Sequence, residues 1–220
     1  MMELKLLQFA HVLAFVYWLG VDTAVYYTSS YAVDRKLSPE TRVTSIRILF
    51  ALDLIPRICM TMILPLGLHL AWKLGLVAIP AAALTAIWLI CFAWLAMVLF
   101  LHFRHGSPKH GGLTKFDFSF RIVMILALVA YALLSLTSDS GAKVDWVAWK
   151  LLIFAGLMSC GLMIRIKLKP FGPAFGRLVA GQADEQENVA ISSSISATRP
   201  WVLLIWLGLL TSAWLGITSI

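Results

Sequence analysis

The sequence has few charged residues. Charged side chains make up 13% of its 220 residues, whereas 60% are hydrophobic and the mean hydropathy is +0.87. Soluble globular domains are about 25% charged and 45–50% apolar. The apolar residues gather into long runs that leave no room for a separate soluble domain. This composition excludes soluble enzyme folds such as Rossmann domains and TIM barrels, and it predicts an integral membrane protein.

Cysteine and the common catalytic motifs are also scarce. The three cysteines, Cys59, Cys91 and Cys160, lie singly inside apolar runs and form no C-x-x-C pair. We interpret them as small core residues, because neither a disulfide framework nor a zinc knuckle fits this pattern. The sequence has no Walker, G-x-S-x-G or H-E-x-x-H motif, which argues against ATPases and hydrolases.

Six apolar runs are long enough to cross a bilayer. The hydrocarbon core is about 30 Å thick and needs about 20 helical residues. We therefore predict an all-α, polytopic membrane bundle of about six transmembrane helices, forming a single integral membrane domain over residues 1–220. The first run is too long for a cleavable signal peptide and carries His11 and Asp22, so we expect it to remain as a helix. The predicted spans are 6–31, 48–72, 76–101, 119–138, 146–165 and 200–219.

Basic residues are unevenly distributed between the two sides of the predicted bundle. The first, third and fifth connections hold thirteen of the 18 Lys and Arg residues, and the opposite side holds four. The positive-inside rule then places these connections in the cytoplasm and both termini outside, as in a bacterial inner membrane. This distribution explains the formal net charge of +7, so membrane lipid is expected as a partner and nucleic acid is not.

The fifth connection, residues 166–199, is the one sizeable polar segment in the predicted topology. Its first part, 170–176, contains two prolines and two glycines and is expected to be irregular. The following stretch, 181–198, is polar with scattered apolar residues, which favours a short surface helix or a mobile linker. We therefore expect 166–199 to be a polar cytoplasmic loop.

Two histidines are expected at similar depth near the outer face. At a rise of 1.5 Å per residue, His11 lies about 7 Å and His69 about 5 Å inside the outer ends of their helices. Two histidines on neighbouring antiparallel helices can hold one haem through its iron. We predict a haem b site at His11 and His69, with Lys150 placed to neutralise a propionate. Alternatively, the histidines bond only to water, headgroups or carbonyls, and Lys150 reaches the headgroups.

Three charged residues are predicted at membrane depth near the inner face. Each costs roughly 2.5–3.5 kcal/mol to insert and so needs a partner or a function. The depths of Asp22 and Arg57 allow an ion pair between helices, and Asp53 lies four residues before Arg57 on one helix face. The cluster is either a structural ion triad or a functional site, such as a proton path or a binding site for a quinone or substrate headgroup.

Metal ligands of other kinds are spread along the chain. Three histidines follow the third span, two of them spaced to share a helix face: His102, His105 and His110. Soft ligands suited to Cu(I) lie in two apolar runs: Cys59, Met60, Met62, Met158, Cys160 and Met163. A flexible Gly- and Pro-containing loop holds the histidines, and Met and Cys are common fillers of apolar helices, so we regard both as weaker candidates.

The first span resembles the first helix of the copper-resistance D-type membrane proteins. It reads H-x6-W-x-G from His11 through Trp18 to Gly20. It is also distantly similar to the bacterial membrane protoporphyrinogen oxidases and to the membrane domain of the cytochrome-linked urate oxidases. In outline the similarity continues through the D-L-I-P-R segment that ends at Arg57 and through a late W-K-L-L helix. The resemblance implies a haem b or copper role for His11, and it matches Lys150 to a lysine of the protoporphyrinogen oxidases.

This chain differs from those relatives in two respects. It has about six spans, whereas the protoporphyrinogen oxidases typically have four helices, and it lacks the C-x-x-C-H sequence of the cytochrome c domain fused to the urate oxidases. The expected function is that of a redox protein, which binds haem b and exchanges electrons with quinone or a partner protein. Two alternatives remain open: a copper or small-solute permease, and a cofactor-free accessory subunit of a larger complex or homo-oligomer. Small residues of the last span are expected to form a close helix contact, namely Gly208, Ser212, Ala213 and Gly216.

Overall fold

The computed structural model describes residues 2–104, 111–137 and 144–219, and these ranges form an all-α protein. Six of their helices are long and apolar enough to cross a membrane, which confirms the predicted polytopic helix bundle. The side of the membrane on which the termini lie stays a prediction. The helices are α1 (Met2–Val33), α2 (Pro39–Lys73), α3 (Ala81–Phe103), α4 (Gly111–Thr137), α5 (Asp145–Lys167), α6 (Phe171–Val179) and α7 (Glu185–Thr218).

Three of the helices are much longer than a bilayer requires. α1, α2 and α7 contain 32, 35 and 34 residues, against about 20 needed to span the hydrocarbon core. α2 begins at Pro39 rather than at residue 48, and α7 at Glu185 rather than at residue 200. These extra turns lie at one end of the bundle, which we call the basic end because it carries the three basic connections. The opposite end, which carries both termini, is called the terminal end.

The fifth connection is mostly helical, so the predicted irregular segment at 170–176 is wrong. Residues 171–179 form α6, because Phe171, Ala174 and Leu178 bury a single helical face. The residues from 185 onward form the first turns of α7, which continues through Pro200 into the last span. A capping box fixes the start of α7: the Asp184 side chain accepts from the backbone N–H of Glu187, whose carboxylate accepts from the N–H of Asp184.

The extra turns pack together in a second apolar core at the basic end. Arg42 joins three helices there, because its Nε donates to the carbonyl of Ala32 at 3.0 Å and its Nη1 donates to Oδ1 of Asn188 at 2.7 Å. The Arg177 guanidinium forms an ion pair with the Glu187 carboxylate at 2.8 Å. The buried members of this core are Ala32, Ile46, Phe171, Ala174, Leu178, Ile191 and Ile195.

The main apolar core surrounds α2 and α5 inside the membrane-spanning part. α7 approaches α5 closely through its glycines, since a Cβ at Gly208 would lie 2.7 Å from Cδ2 of Leu157. The predicted close contact of the last span therefore lies within the chain. The larger buried side chains of this core are Trp18, Met60, Leu64, Leu68, Trp94, Leu128, Leu151, Phe154, Met158, Ile205 and Leu209.

A buried ion cluster joins α3, α4 and α5. Asp117 is 0% exposed and forms ion pairs with Arg121 Nε at 3.1 Å and Arg165 Nη1 at 2.7 Å. The indole N–H of Trp94 donates to its other carboxylate oxygen at 3.2 Å, and the Arg121 guanidinium lies 5.3 Å from the centre of the Trp94 ring. Arg121 and Arg165 lie near the ends of the predicted spans 119–138 and 146–165. In the structure they lie inside longer helices, because α4 begins at Gly111 rather than at residue 119 and α5 continues to Lys167.

We expect Asp117→Asn to destabilise the bundle by about 3–5 kcal/mol, because it leaves the buried Arg121 and the half-buried Arg165 without their counter-charge. The free energy of unfolding can be measured by SDS titration of the protein in mixed micelles. Asp145→Asn is the matched control, since Asp145 is exposed in the first turn of α5. Equal unfolding free energies for the two variants would contradict a structural role for the cluster.

Candidate functional site

A cavity of about 340 Å³ lies between α1, α2, α5 and α7 near the terminal end. Its volume falls within the 300–1,000 Å³ range of small-molecule and cofactor sites. Its walls are mainly apolar, and its two ionisable side chains are His11 and Lys150, so we call it the His11 cavity. Apolar and aromatic residues that line it include Phe15, Trp18, Leu64, Leu68, Trp146, Leu151, Phe154 and Leu209.

The His11 imidazole is held in place by a glycine on the neighbouring helix. A Cβ built on Gly67 of α2 would lie 2.8 Å from Cε1 of His11, so only glycine leaves room for the ring at this position. The Nδ1 atom of His11 is buried and has no hydrogen-bond partner among the described residues. Buried polar atoms are nearly always paired, so a solitary imidazole nitrogen beside a cavity marks a candidate ligand-binding atom.

Lys150 supplies a positive charge to the same cavity. Its ammonium group lies 5.1 Å from the centre of the Trp146 ring and packs against Gly216 of α7. The lining residues that the structure describes include no carboxylate. The cation is therefore balanced by an aromatic face alone, and an anionic group of a ligand would be attracted to it.

His69 lies outside the His11 cavity. Its ring packs against Trp72 and Trp88, with centroids 6.1 Å and 6.2 Å away, and its Nε2 is 3.8 Å from the Glu3 carboxylate. Two residues apart on a helix means a rotation of about 200°, so residues 67 and 69 of α2 lie on nearly opposite faces. Gly67 faces His11 on α1, and His69 therefore faces α3. The structure thus brings His11 together with Lys150 and does not bring it together with His69.

A second cavity, of about 130 Å³, lies closer to the basic end, and all three of the predicted inner charges line it. We call it the inner cavity. Arg57 forms an ion pair with Asp53 one turn earlier on α2. Asp22 instead accepts a hydrogen bond from the indole N–H of Trp206 at 2.8 Å. The depth and spacing of these residues allowed two ion pairs, Asp22–Arg57 and Asp53–Arg57. The structure forms Asp53–Arg57, which lies within α2.

Of the other predicted metal ligands, the three histidines that follow the third span are only partly described by the structure. His102 lies in the last turn of α3 against the ring of Phe103, while His105 and His110 fall outside the described residues. No group of three or more His, Cys, Asp or Glu side chains within residues 2–104, 111–137 and 144–219 could hold a metal ion.

Sequence reasoning missed two features that shape these sites. The Asp117 cluster has a visible signal, because Asp117 and Arg121 are four residues apart, the same spacing as Asp53 and Arg57. Gly67 has no such signal. A glycine in an apolar helix is required only when a neighbouring side chain packs against it, and the sequence does not show that neighbour.

Comparison of the chain with protein-family models, with curated proteins and with solved structures finds no match in any of the three. The fold and the cavities define a polytopic α-helical membrane protein with a ligand-sized site between its helices. The resemblance of the first span to the copper-resistance D-type proteins stays a hypothesis.

We expect Gly67→Ala to destabilise the protein by about 1–3 kcal/mol, because the new methyl group displaces the His11 ring from a packed position. Gly156→Ala is the matched control, since a Cβ there meets nothing within 4 Å. The control should stabilise the helix by up to about 1 kcal/mol through alanine's higher helix propensity. Unfolding free energies in mixed micelles test this, and stabilisation of both variants to the same extent would contradict the described contact.

Proposed function

We propose that this chain is a membrane redox protein that binds haem b in the His11 cavity, where His11 would hold the iron. The observation that carries the proposal is that His11 lines the cavity while its buried Nδ1 has no hydrogen-bond partner among the described residues. A buried donor or acceptor without a partner costs about 1–3 kcal/mol, and coordination to iron would remove that cost.

The residues around His11 suit haem. Neutral imidazole is a common axial ligand, and a mainly apolar wall provides the low dielectric that tunes a haem's potential. Lys150 would pair with one of the two propionates, which are the anionic groups of an otherwise apolar cofactor. The resemblance of the first span supports the same assignment, because it implies a haem b or copper role for His11. The distant similarity to the protoporphyrinogen oxidases matches Lys150 to a lysine of those proteins.

The chain's own contribution would be to bind and orient the cofactor. Gly67 fixes the plane and position of the imidazole, and Lys150 would neutralise a carboxylate in a region of low dielectric. The apolar walls from α1, α2, α5 and α7 would exclude water from a haem bound between them. When bound, haem b supplies the one-electron chemistry, as cofactors do in redox proteins generally.

The proposed location is a bacterial inner membrane, with the terminal end outside and the basic end in the cytoplasm. The excess of Lys and Arg in the connections of the basic end supports this orientation. In this arrangement the His11 cavity lies near the outer face. Its proposed electron partners are a membrane quinone or another redox protein, and a single histidine from this chain is sufficient for haem binding.

The test is a reduced-minus-oxidised visible spectrum of the protein purified in mild detergent, with iron and copper measured on the same sample. We expect a haem Soret band that shifts on reduction and about one iron per chain. His11→Ala should abolish the band, whereas His69→Ala, the matched control on α2, should leave it unchanged. Lys150→Met should weaken haem binding about tenfold, because a charge-assisted contact is lost.

Three outcomes would contradict this proposal. A full haem spectrum in His11→Ala would exclude His11 as the ligand. A colourless protein that carries copper would favour the copper-handling or permease alternative. A colourless, metal-free protein that is stable only with a partner would favour the accessory subunit.

A further inference from the structure

We infer that the inner cavity binds the six-membered ring of a lipid-soluble quinone or quinol, between Arg199 of α7 and Asp22 of α1. This inference deepens the proposed redox function, because it names the electron partner and gives it a site separate from the His11 cavity. Binding of the ring does not itself require haem, so the two proposals can fail independently.

The size of the inner cavity matches one small ring. Its volume is about 130 Å³. A cavity of about 150 Å³ engineered in another protein binds a single benzene molecule. Aromatic side chains form part of the wall, with the rings of Phe50 and Phe171 6.5 Å apart. Such walls favour a flat apolar ring over a flexible polar solute.

Arg199 provides a hydrogen-bond donor to this cavity. Its Nε is buried and has no hydrogen-bond partner among the described residues, although the side chain lines the cavity. Its guanidinium group lies 5.5 Å from the centre of the Tyr26 ring, which holds it in position. A quinone carbonyl is an acceptor that would satisfy this N–H.

Asp22 provides the complementary acceptor. One of its carboxylate oxygens, Oδ2, is occupied by the Trp206 indole, and Tyr26 packs on the same indole with ring centroids 5.2 Å apart. The carboxylate retains further lone pairs, and a quinol hydroxyl could donate to them. One donor and one acceptor along the same cavity suit a ring that alternates between a carbonyl and a hydroxyl form.

The charges around the inner cavity favour a neutral ligand. Asp22 and Asp53 carry two negative charges, and Arg57 and Arg199 carry two positive ones. The Asp53–Arg57 pair is already formed, which leaves one charge of each sign for the ligand. A phosphate headgroup or a metal ion would add an unbalanced charge, whereas a quinone ring adds none.

We place the opening of the inner cavity to the membrane at Arg57 of α2. The Arg57 side chain lines the cavity and is 39% exposed. An isoprenoid tail could leave there into lipid while the ring stays inside. Along α1, Asp22 is about 16 Å from His11 at 1.5 Å per residue, so occupants of the two cavities would not overlap.

The experiment is a binding titration of the haem-free, full-length chain in nanodiscs with short-tailed quinone analogues, oxidised and reduced, using protein-free nanodiscs as the blank. We expect saturable binding of both forms, weakened about tenfold by Arg199→Met and largely restored by Arg199→Lys. Asp22→Asn should weaken the quinol about tenfold more than the quinone, because an amide replaces an acceptor-only carboxylate with a donor. Arg47→Met, on the exposed face of α2, should bind as the unmodified chain does.

Three results would overturn the inference. The first is an absence of saturable binding. The second is binding that Arg199→Met and Asp22→Asn change no more than Arg47→Met does. The third is loss of binding in His11→Ala alone, which would place the ring in the His11 cavity. Loss of haem with quinone binding intact would reject the proposed haem site and leave the quinone site standing.

Discussion

The buried carboxylate of Asp117 is the interaction on which the central helices depend. It lies where two cationic side chains, Arg121 from α4 and Arg165 from α5, meet, and Trp94 of α3 completes its hydrogen bonds. α3 and α4 share few other contacts, so this cluster is their main polar link. Without it, a membrane core would contain guanidinium groups that neither lipid nor apolar side chains could solvate.

Hydropathy was sufficient to find the six spans and insufficient to find their ends. About 20 apolar residues identify a span, and every run of that length became a helix. The polar turns that extend α2 and α7 are stabilised by packing in the second core and by the capping box at Asp184. A hydropathy average over a window of residues detects neither of these interactions. For the same reason α6 was expected to be irregular: its prolines and glycines are visible in the sequence, whereas the helices that cover Phe171 are not.

The sequence predicted how deep each residue of the candidate site lies in the membrane, but not which residues face one another. The rise per residue gave His11, His69 and the inner charges their depths, but depth does not fix the direction in which a side chain points. Each residue turns a helix by about 100°, so the direction depends on which face meets a neighbour. The contact between His11 and Gly67 sets that face for α2 and turns His69 away. Only the packing of the helices shows which side chains face one another. The same is true of the hydrogen bond from Trp206 to Asp22.

Two arrangements of charged side chains recur inside the bundle. Asp117 and Asp53 are paired with arginines, which offsets their cost in a medium of low dielectric. Lys150 and Arg199 contact an aromatic ring instead, and each of them lines a cavity. A cation placed beside an empty volume rather than beside a carboxylate reduces the stability of the protein alone, and a ligand that completes its contacts would recover that loss. The positions of these two cations therefore connect the stability of the bundle to the ligands proposed for its cavities.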